Sequence, residues 1–256
     1  MHNISDKLIV ALDVNTLKEA EDIVKKLYPV VKLFKIGSQL FTACGLEAVK
    51  MVGKKEGAKV FLDLKFYDIP QTVFSAVSSG TGAACEVVFV STTSPNTEEN
   101  IKGVIQSPVF MMTVHTSGGR EMLEKAAEGA RIRAKELKID KPLIIGVTVL
   151  TSEPAKEQTL ENVLDKAKLA QQTGLDGVVC SVHEAAAVRK ACGKDFIIVT
   201  PGIRLKGAEN NDQKRMATPQ EAIKAGANYI VVGRPILQAQ DPLKAVQEIL
   251  QEKSGD

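Results

Sequence analysis

An α/β barrel of eight parallel strands, each followed by a helix, is what this sequence predicts. Three observations point to it. Short, continuous apolar runs alternate with amphipathic helical stretches along the whole chain, the pattern of a parallel sheet buried on both faces. About eight such βα units fit in 256 residues, the usual size of a (β/α)8 or TIM barrel. Nearly every apolar run ends in a polar or charged residue, and barrels collect their chemistry at strand ends. A doubly wound open sheet is the alternative. Gly80-Thr81-Gly82 touches the dinucleotide fingerprint, but Cys85 stands where its third glycine belongs and no strand directly precedes it.

In chain order, Leu8–Leu12 reads as a buried strand ending at Asp13. Thr16 with Glu19 forms a capping box, and Leu17, Ala20, Val24 and Leu27 give the helix its apolar stripe before Pro29 stops it. Leu33–Gly37 is a strand carrying Lys35. A helix over about 46–55 follows, with Gly57 placed as a C-terminal cap. Val60–Phe66 is the third strand, and it runs into Tyr67-Asp68-Ile69-Pro70-Gln71-Thr72. Side chains alternate along a strand, so Asp63 and Lys65 share one face. Two acids and a lysine at the end of a greasy strand are costly near a core unless they pair or serve a ligand.

Residues from Thr72 look helical for a few positions before the pattern degrades. The segment 78–108 is atypically long for one connection. It holds a strand-like run at 86–91 and a short helical stretch at 97–106, capped at Asn96 or Thr97. Val109–Val114 is strand-like and ends at His115, so the count is eight strands, or nine if both runs qualify. Gly118–Leu137 is a helix. Leu143–Leu150 is a strand turning polar at Thr151 and Ser152. A helix over 159–173 closes at Gly174. Strand 177–181, helix 183–191 and strand 196–199 follow, the last running into Pro201-Gly202-Ile203-Arg204. A polar loop spans 205–215. Thr218-Pro219 starts a helix ending near Gly226, Tyr229–Val232 is the last strand, and Asp241-Pro242 opens the closing helix. All 256 residues read as one domain.

Composition narrows the function. Net charge is +2 with no basic block, which argues against nucleic acid or a membrane surface as the main partner. No apolar run is long enough to span a bilayer and no signal-peptide pattern is present, so a cytoplasmic protein is expected. Cys44, Cys85, Cys180 and Cys192 form no Cys-x-x-Cys pair and read as reduced, structural cysteines. His2, His115 and His183 lack metal-ligand spacing, so no metal is expected, and His115 reads as a strand-end histidine. No Gly-x-Ser-x-Gly elbow supports serine-nucleophile chemistry.

The last two strands run into Gly-Ile-Arg and Gly-Arg. Glycine lets backbone N–H groups approach an anion, arginine offers a bidentate fork, and barrel phosphate sites commonly form at these two loops. Arg204, Gly233 and Arg234 are therefore expected to hold a phosphate. Gln213 lies in the intervening loop, whose Gly207, Asn210 and Asn211 suit a lid.

Taken together, Asp63-x-Lys65-x-x-Asp68-Ile69-Pro70-x-Thr72, Phe-Lys35-Ile-Gly, His115-x-Ser-Gly-Gly, Leu-Thr151-Ser152, Pro201-Gly-Ile-Arg204, Asp212-Gln213-Lys-Arg215 and Val-Gly233-Arg234-Pro-Ile resemble the bacterial type of orotidine 5′-phosphate decarboxylase, from Leu8 to about Ile249. The departure is the stretch from Thr72 to His115, about twice the family's length. The resemblance implies cofactor-independent decarboxylation of orotidine 5′-phosphate in pyrimidine biosynthesis by a homodimer. Lys35, Asp63, Lys65 and Asp68 would form a charge array, with Lys65 protonating C6. Asp68 and Thr72 would come from the partner subunit. Asp13 would bind the ribose, and Thr151 and Ser152 the base. Pro201 would line the substrate site, and Arg204, Gln213, Gly233 and Arg234 would take the phosphate. Two other readings remain: a magnesium-dependent phosphosugar barrel, whose relatives share the Asp-x-Lys-x-x-Asp strand, and a barrel that binds a nucleotide phosphate without catalysis.

Overall fold

Parallel β-strands with no edge require closure, and this chain closes. In the computed structural model, which describes residues 4–92, 100–150, 159–204 and 217–251, the strands are β1 (Leu8–Ala11), β2 (Leu33–Gly37), β3 (Lys59–Phe66), β4 (Glu86–Thr92), β5 (Asn100–Gln106), β6 (Val109–His115), β7 (Leu143–Val147), β8 (Gly177–Val179), β9 (Ile197–Thr200) and β10 (Tyr229–Val232). Eight of them form a closed barrel in the order β1-β10-β9-β8-β7-β6-β3-β2. The helices are α1 (Leu17–Leu27), α2 (Ser38–Cys44), α3 (Leu46–Gly53), α4 (Pro70–Thr81), α5 (Gly119–Leu137), α6 (Thr159–Gln172), α7 (Val182–Cys192), α8 (Pro219–Lys224), α9 (Arg234–Leu237) and α10 (Pro242–Gln251). Among the described residues no helix is long and apolar enough to cross a membrane, and all four cysteines are free.

Two apolar layers follow from the pleat. Side chains that point into the barrel, Ile9, Ala11, Leu33, Phe61, Met111, Ile145, Val199 and Val231, form one buried cluster. Those on the outer strand faces pack under the helices in a larger cluster that includes Leu8, Val10, Phe34, Leu62, Met112 and Ile144. Burying one such large side chain contributes about 1.5–3 kcal/mol, so both faces of the barrel strands are committed. Gly177 shows how tight the wall is: a Cβ there would lie 2.2 Å from the Ile197 carbonyl oxygen.

Local signals are used as expected at α1, where the Thr16 hydroxyl accepts from the Glu19 N–H and the Glu19 carboxylate accepts from the Thr16 N–H. Helix α4 differs from its sequence reading. It starts with Pro70 in its first turn and persists to Thr81 through Ser78-Ser79-Gly80. The glycine is a packing demand, since a Cβ on Gly80 would meet the Met112 sulfur at 2.5 Å. Strand β7 ends earlier than expected because the Thr148 hydroxyl turns to donate to the Val179 carbonyl at 2.8 Å.

The stretch 97–106 is corrected. Asn100–Gln106 is a strand, not a helix, and pairs antiparallel with Glu86–Thr92 outside the barrel. β-Branched Ile101, Val104 and Ile105 favour extended backbone, and β4 supplies the ladder that a local cap signal cannot reveal. The barrel's fourth strand is Val109–His115. Helix α2 went unread because Gly37 and Gly45 flank it without side-chain caps.

Candidate active site

Continuing each inward-facing column one pleat past the apolar cluster reaches Asp13 from Ala11, Lys35 from Leu33, Asp63 from Phe61 and Thr113 from Met111. The barrel's C-terminal rim is thus a polar layer on an apolar floor. Asp13 Oδ1 lies 3.1 Å from Lys35 Nζ, which lies 3.5 Å from Asp63 Oδ2. Lys65 Nζ then donates to both Asp63 oxygens at 2.9 Å. The result is a chain of alternating sign: acid, base, acid, base.

Asp63 is only 8% exposed. Burial pushes its carboxyl up, but the Lys35 and Lys65 ammonium groups, with hydrogen bonds from Lys65 and the Thr113 hydroxyl, outweigh burial and hold it below the usual carboxylate range. Asp63 is therefore ionised at neutral pH.

Lys65 does not sit on regular strand. Its φ is +50°, and the register of β3 against β6 shifts between Leu62 and Phe66. Non-glycine residues held there store about 1–3 kcal/mol of strain, which the surroundings must hold in place.

Asp13, Lys35, Asp63, Lys65, Pro201, Arg204, Gly233 and Arg234 all line one hollow of about 230 Å³ at this rim. Its floor and walls include Phe61, Val147, Val179 and Val199. Arg204 is buried, and its guanidinium donates to the Ile203 carbonyl at 2.9 Å. The two arginines and the lysine–aspartate chain thus share one cavity. Two larger hollows, of about 500 and 550 Å³, lie at the opposite, N-terminal end of the strands and contain none of the array.

Two expected residues stay apart from this cavity. Asp68 is exposed and accepts from the Ile69 N–H at 2.7 Å, and Thr72 is exposed in the first turn of α4. Around them Tyr67 and Ile69 are among the most exposed large apolar side chains described. His115 ends β6, stacks tilted against Tyr67 at 5.6 Å, and accepts from the Ser117 N–H. Thr151, Ser152 and Gln213, with the expected lid residues Gly207, Asn210 and Asn211, lie outside the described residues.

Thr113 is the group that sequence reading missed. Its hydroxyl is buried against Asp63 and the Lys65 backbone. The signal was present, since Thr113 is one pleat beyond Met111 on an inward-facing column. Among the described residues no three His, Cys, Asp or Glu side chains gather as a metal site.

Comparison with known proteins agrees with this geometry. The family model for orotidine 5′-phosphate decarboxylase / HUMPS matches residues 6–249. Orotidine 5′-phosphate decarboxylase of Moorella thermoacetica is 43% identical over 256 residues, covering 96% of this chain and 92% of its own length. The enzyme of the same name from Syntrophotalea carbinolica is 44% identical over 259 residues, covering 97% and 95%. Among solved structures, orotidine 5′-phosphate decarboxylase from Lactobacillus acidophilus superposes with a TM-score of 0.74 at 32% identity, covering 95% of this chain and 96% of that one. The closed parallel barrel, the charged rim and these relatives lead to one conclusion: this chain belongs to the orotidine 5′-phosphate decarboxylase / HUMPS family.

Proposed function

We propose that this chain, acting as one catalytic domain over residues 1–256, decarboxylates orotidine 5′-phosphate to UMP in pyrimidine biosynthesis, in the cytoplasm and without metal or cofactor. The observation that carries the reading is the alternating Asp13–Lys35–Asp63–Lys65 chain sharing a cavity with Arg204 and Arg234. Curated relatives above 40% identity bearing that enzyme's name favour it over a phosphosugar-cleaving barrel.

The chemistry asks little of functional groups and much of placement. The bond between C6 and the substrate carboxylate breaks, carbon dioxide leaves, and the electron pair stays on an sp² carbon with nothing to delocalise it. The Lys65 ammonium stabilises that charge as it develops and transfers its proton to C6; solvent then reprotonates the amine. An interaction that strengthens only in the transition state lowers the barrier. Asp63 repels the substrate carboxylate, and the repulsion fades as carbon dioxide departs, while Lys35 moderates it.

Arg204, Gly233, Arg234 and Gln213 take the phosphate, far from the bond that breaks. Its binding energy orients the base. Asp13 contacts the ribose, Pro201 lines the site, and Thr151 and Ser152 contact the pyrimidine. A homodimer completes the site: Asp68 and Thr72 reach into the partner's cavity, which agrees with their exposure here.

The decisive experiment mixes purified protein with orotidine 5′-phosphate in EDTA and follows loss of the orotate absorbance band. Turnover should persist in EDTA; loss of activity on chelation would favour a magnesium-dependent barrel. Lys65→Ala should retain measurable affinity for UMP while turnover collapses by about a thousandfold or more. Wild-type turnover in that variant would end the mechanism.

A further inference from the structure

Strands β3 and β6 are in register at Leu62–Met112 and again at Phe66–Val114, so Asp63, Leu64 and Lys65 together stand opposite Thr113 alone. This bulge is where Lys65 takes its left-handed φ of +50°. A strand residue there loses its ordinary ladder partner, and its N–H needs another acceptor.

One side chain meets that need and does a second job. Thr113, 0% exposed, accepts from the Lys65 N–H at 2.8 Å and donates its hydroxyl proton to Asp63 Oδ1 at 3.0 Å. A hydroxyl is one of the few small groups that can accept and donate at once; a methyl does neither. The backbone of the proton donor and the carboxylate beside it are thus pinned by the same oxygen, from a neighbouring strand. Thr113 does not line the cavity, so it acts through these two residues rather than on substrate.

We infer that Thr113 is a positioning residue: its hydroxyl holds the β3 bulge in the form that aims the Lys65 ammonium and fixes the Asp63 carboxylate. This rests on the decarboxylase reading. If Thr113 loses its hydroxyl, the Lys65 N–H is left unpaired and the strained backbone can relax toward ordinary strand. The ammonium then no longer points steadily at the reacting carbon. The phosphate-binding arginines are untouched, so the defect falls on the chemical step.

The test uses the full-length wild type, Thr113→Val, Thr113→Ala and Thr113→Ser, with orotidine 5′-phosphate as substrate in EDTA and calorimetric UMP binding in parallel. Val and Ala should lower kcat about 10- to 100-fold, as misplacement of a reacting group by about 1 Å does, while KM and UMP affinity stay within about threefold. Ser, which keeps the hydroxyl, should restore kcat to within about threefold of wild type. If Val does not fold, the Ser–Ala pair carries the same comparison, because the two differ only in the hydroxyl. An active wild type whose Val or Ala variant keeps full kcat, or whose Ser and Ala variants fall together, overturns the inference alone. A wild type without turnover overturns the decarboxylase reading and the inference with it.

Discussion

Replacing Asp63 by Asn is the sharpest probe of the charge chain, because asparagine keeps the shape and imitates the protonated carboxyl. Asp63 faces Lys35 at 3.5 Å and Lys65 at 2.9 Å. Each contact amounts to about 4–6 kcal/mol at an effective dielectric near 20. Desolvation of the buried carboxylate offsets much of this, and the Lys65 contact is screened because that side chain is 38% exposed. Lys35 also keeps Asp13 as a second partner. The net loss in Asp63→Asn at pH 7 should therefore be on the order of 1–3 kcal/mol, where one pKa unit corresponds to about 1.4 kcal/mol. The sign follows from linkage. The folded pKa is depressed, so the stabilisation is present above the ordinary carboxylate value and is lost as pH falls through the folded value. Urea unfolding of both proteins from pH 7 to pH 3 should show two stability curves that stay apart down to about pH 4 and then converge. A gap that is constant through the acid range, or absent at pH 7, would refute the claim that ionised Asp63 holds the two lysines.

Other outcomes follow from the same rim. A Cβ on Gly37 would stand 2.9 Å from Lys35 Nζ and 3.5 Å from Asp13 Oδ1. Gly37→Ala should thus displace the ammonium by a few tenths of an ångström and lower kcat by about tenfold, with a change of less than about 1 kcal/mol in unfolding free energy, because the tip of a lysine moves cheaply. Steady-state kinetics and a urea curve on one preparation check both. Lys65→Ala and Asp68→Ala, each inactive alone, should regain roughly a quarter of wild-type activity on equimolar subunit mixing, since half of random dimers are hybrids with one intact site of two. No recovery after verified subunit exchange would place Asp68 outside the partner's site.

Much of this architecture was legible in the chain because its signals are local. Continuous apolar runs fix strands, the Thr16–Glu19 box fixes a helix start, and the Asp63–Lys65 pairing is expected from strand alternation although the structure reaches it through a bulge. What was missed is non-local. The partner that makes 100–106 a strand is β4, and nothing inside 100–106 announces it. The need for glycine at position 80 inside α4 is set by Met112 on β6. The Thr113 hydrogen bonds bridge 48 and 50 residues of chain. Only counting pleats along every column, rather than reading strand ends, would have found that hydroxyl.

The ribbon of β4 and β5 has a consequence for how this chain tolerates change. Its innermost rung pairs Glu86 with Gln106, so the polypeptide departs from the wall and comes back at a single spot. Whatever hangs beyond that rung, the order of staves around the cask is the same, and the catalytic mouth belongs to staves on either side that never learn its length. The appendage is a socket: sequence there can be trimmed, lengthened or exchanged with little loop-closure cost and no rewiring of the cradle above.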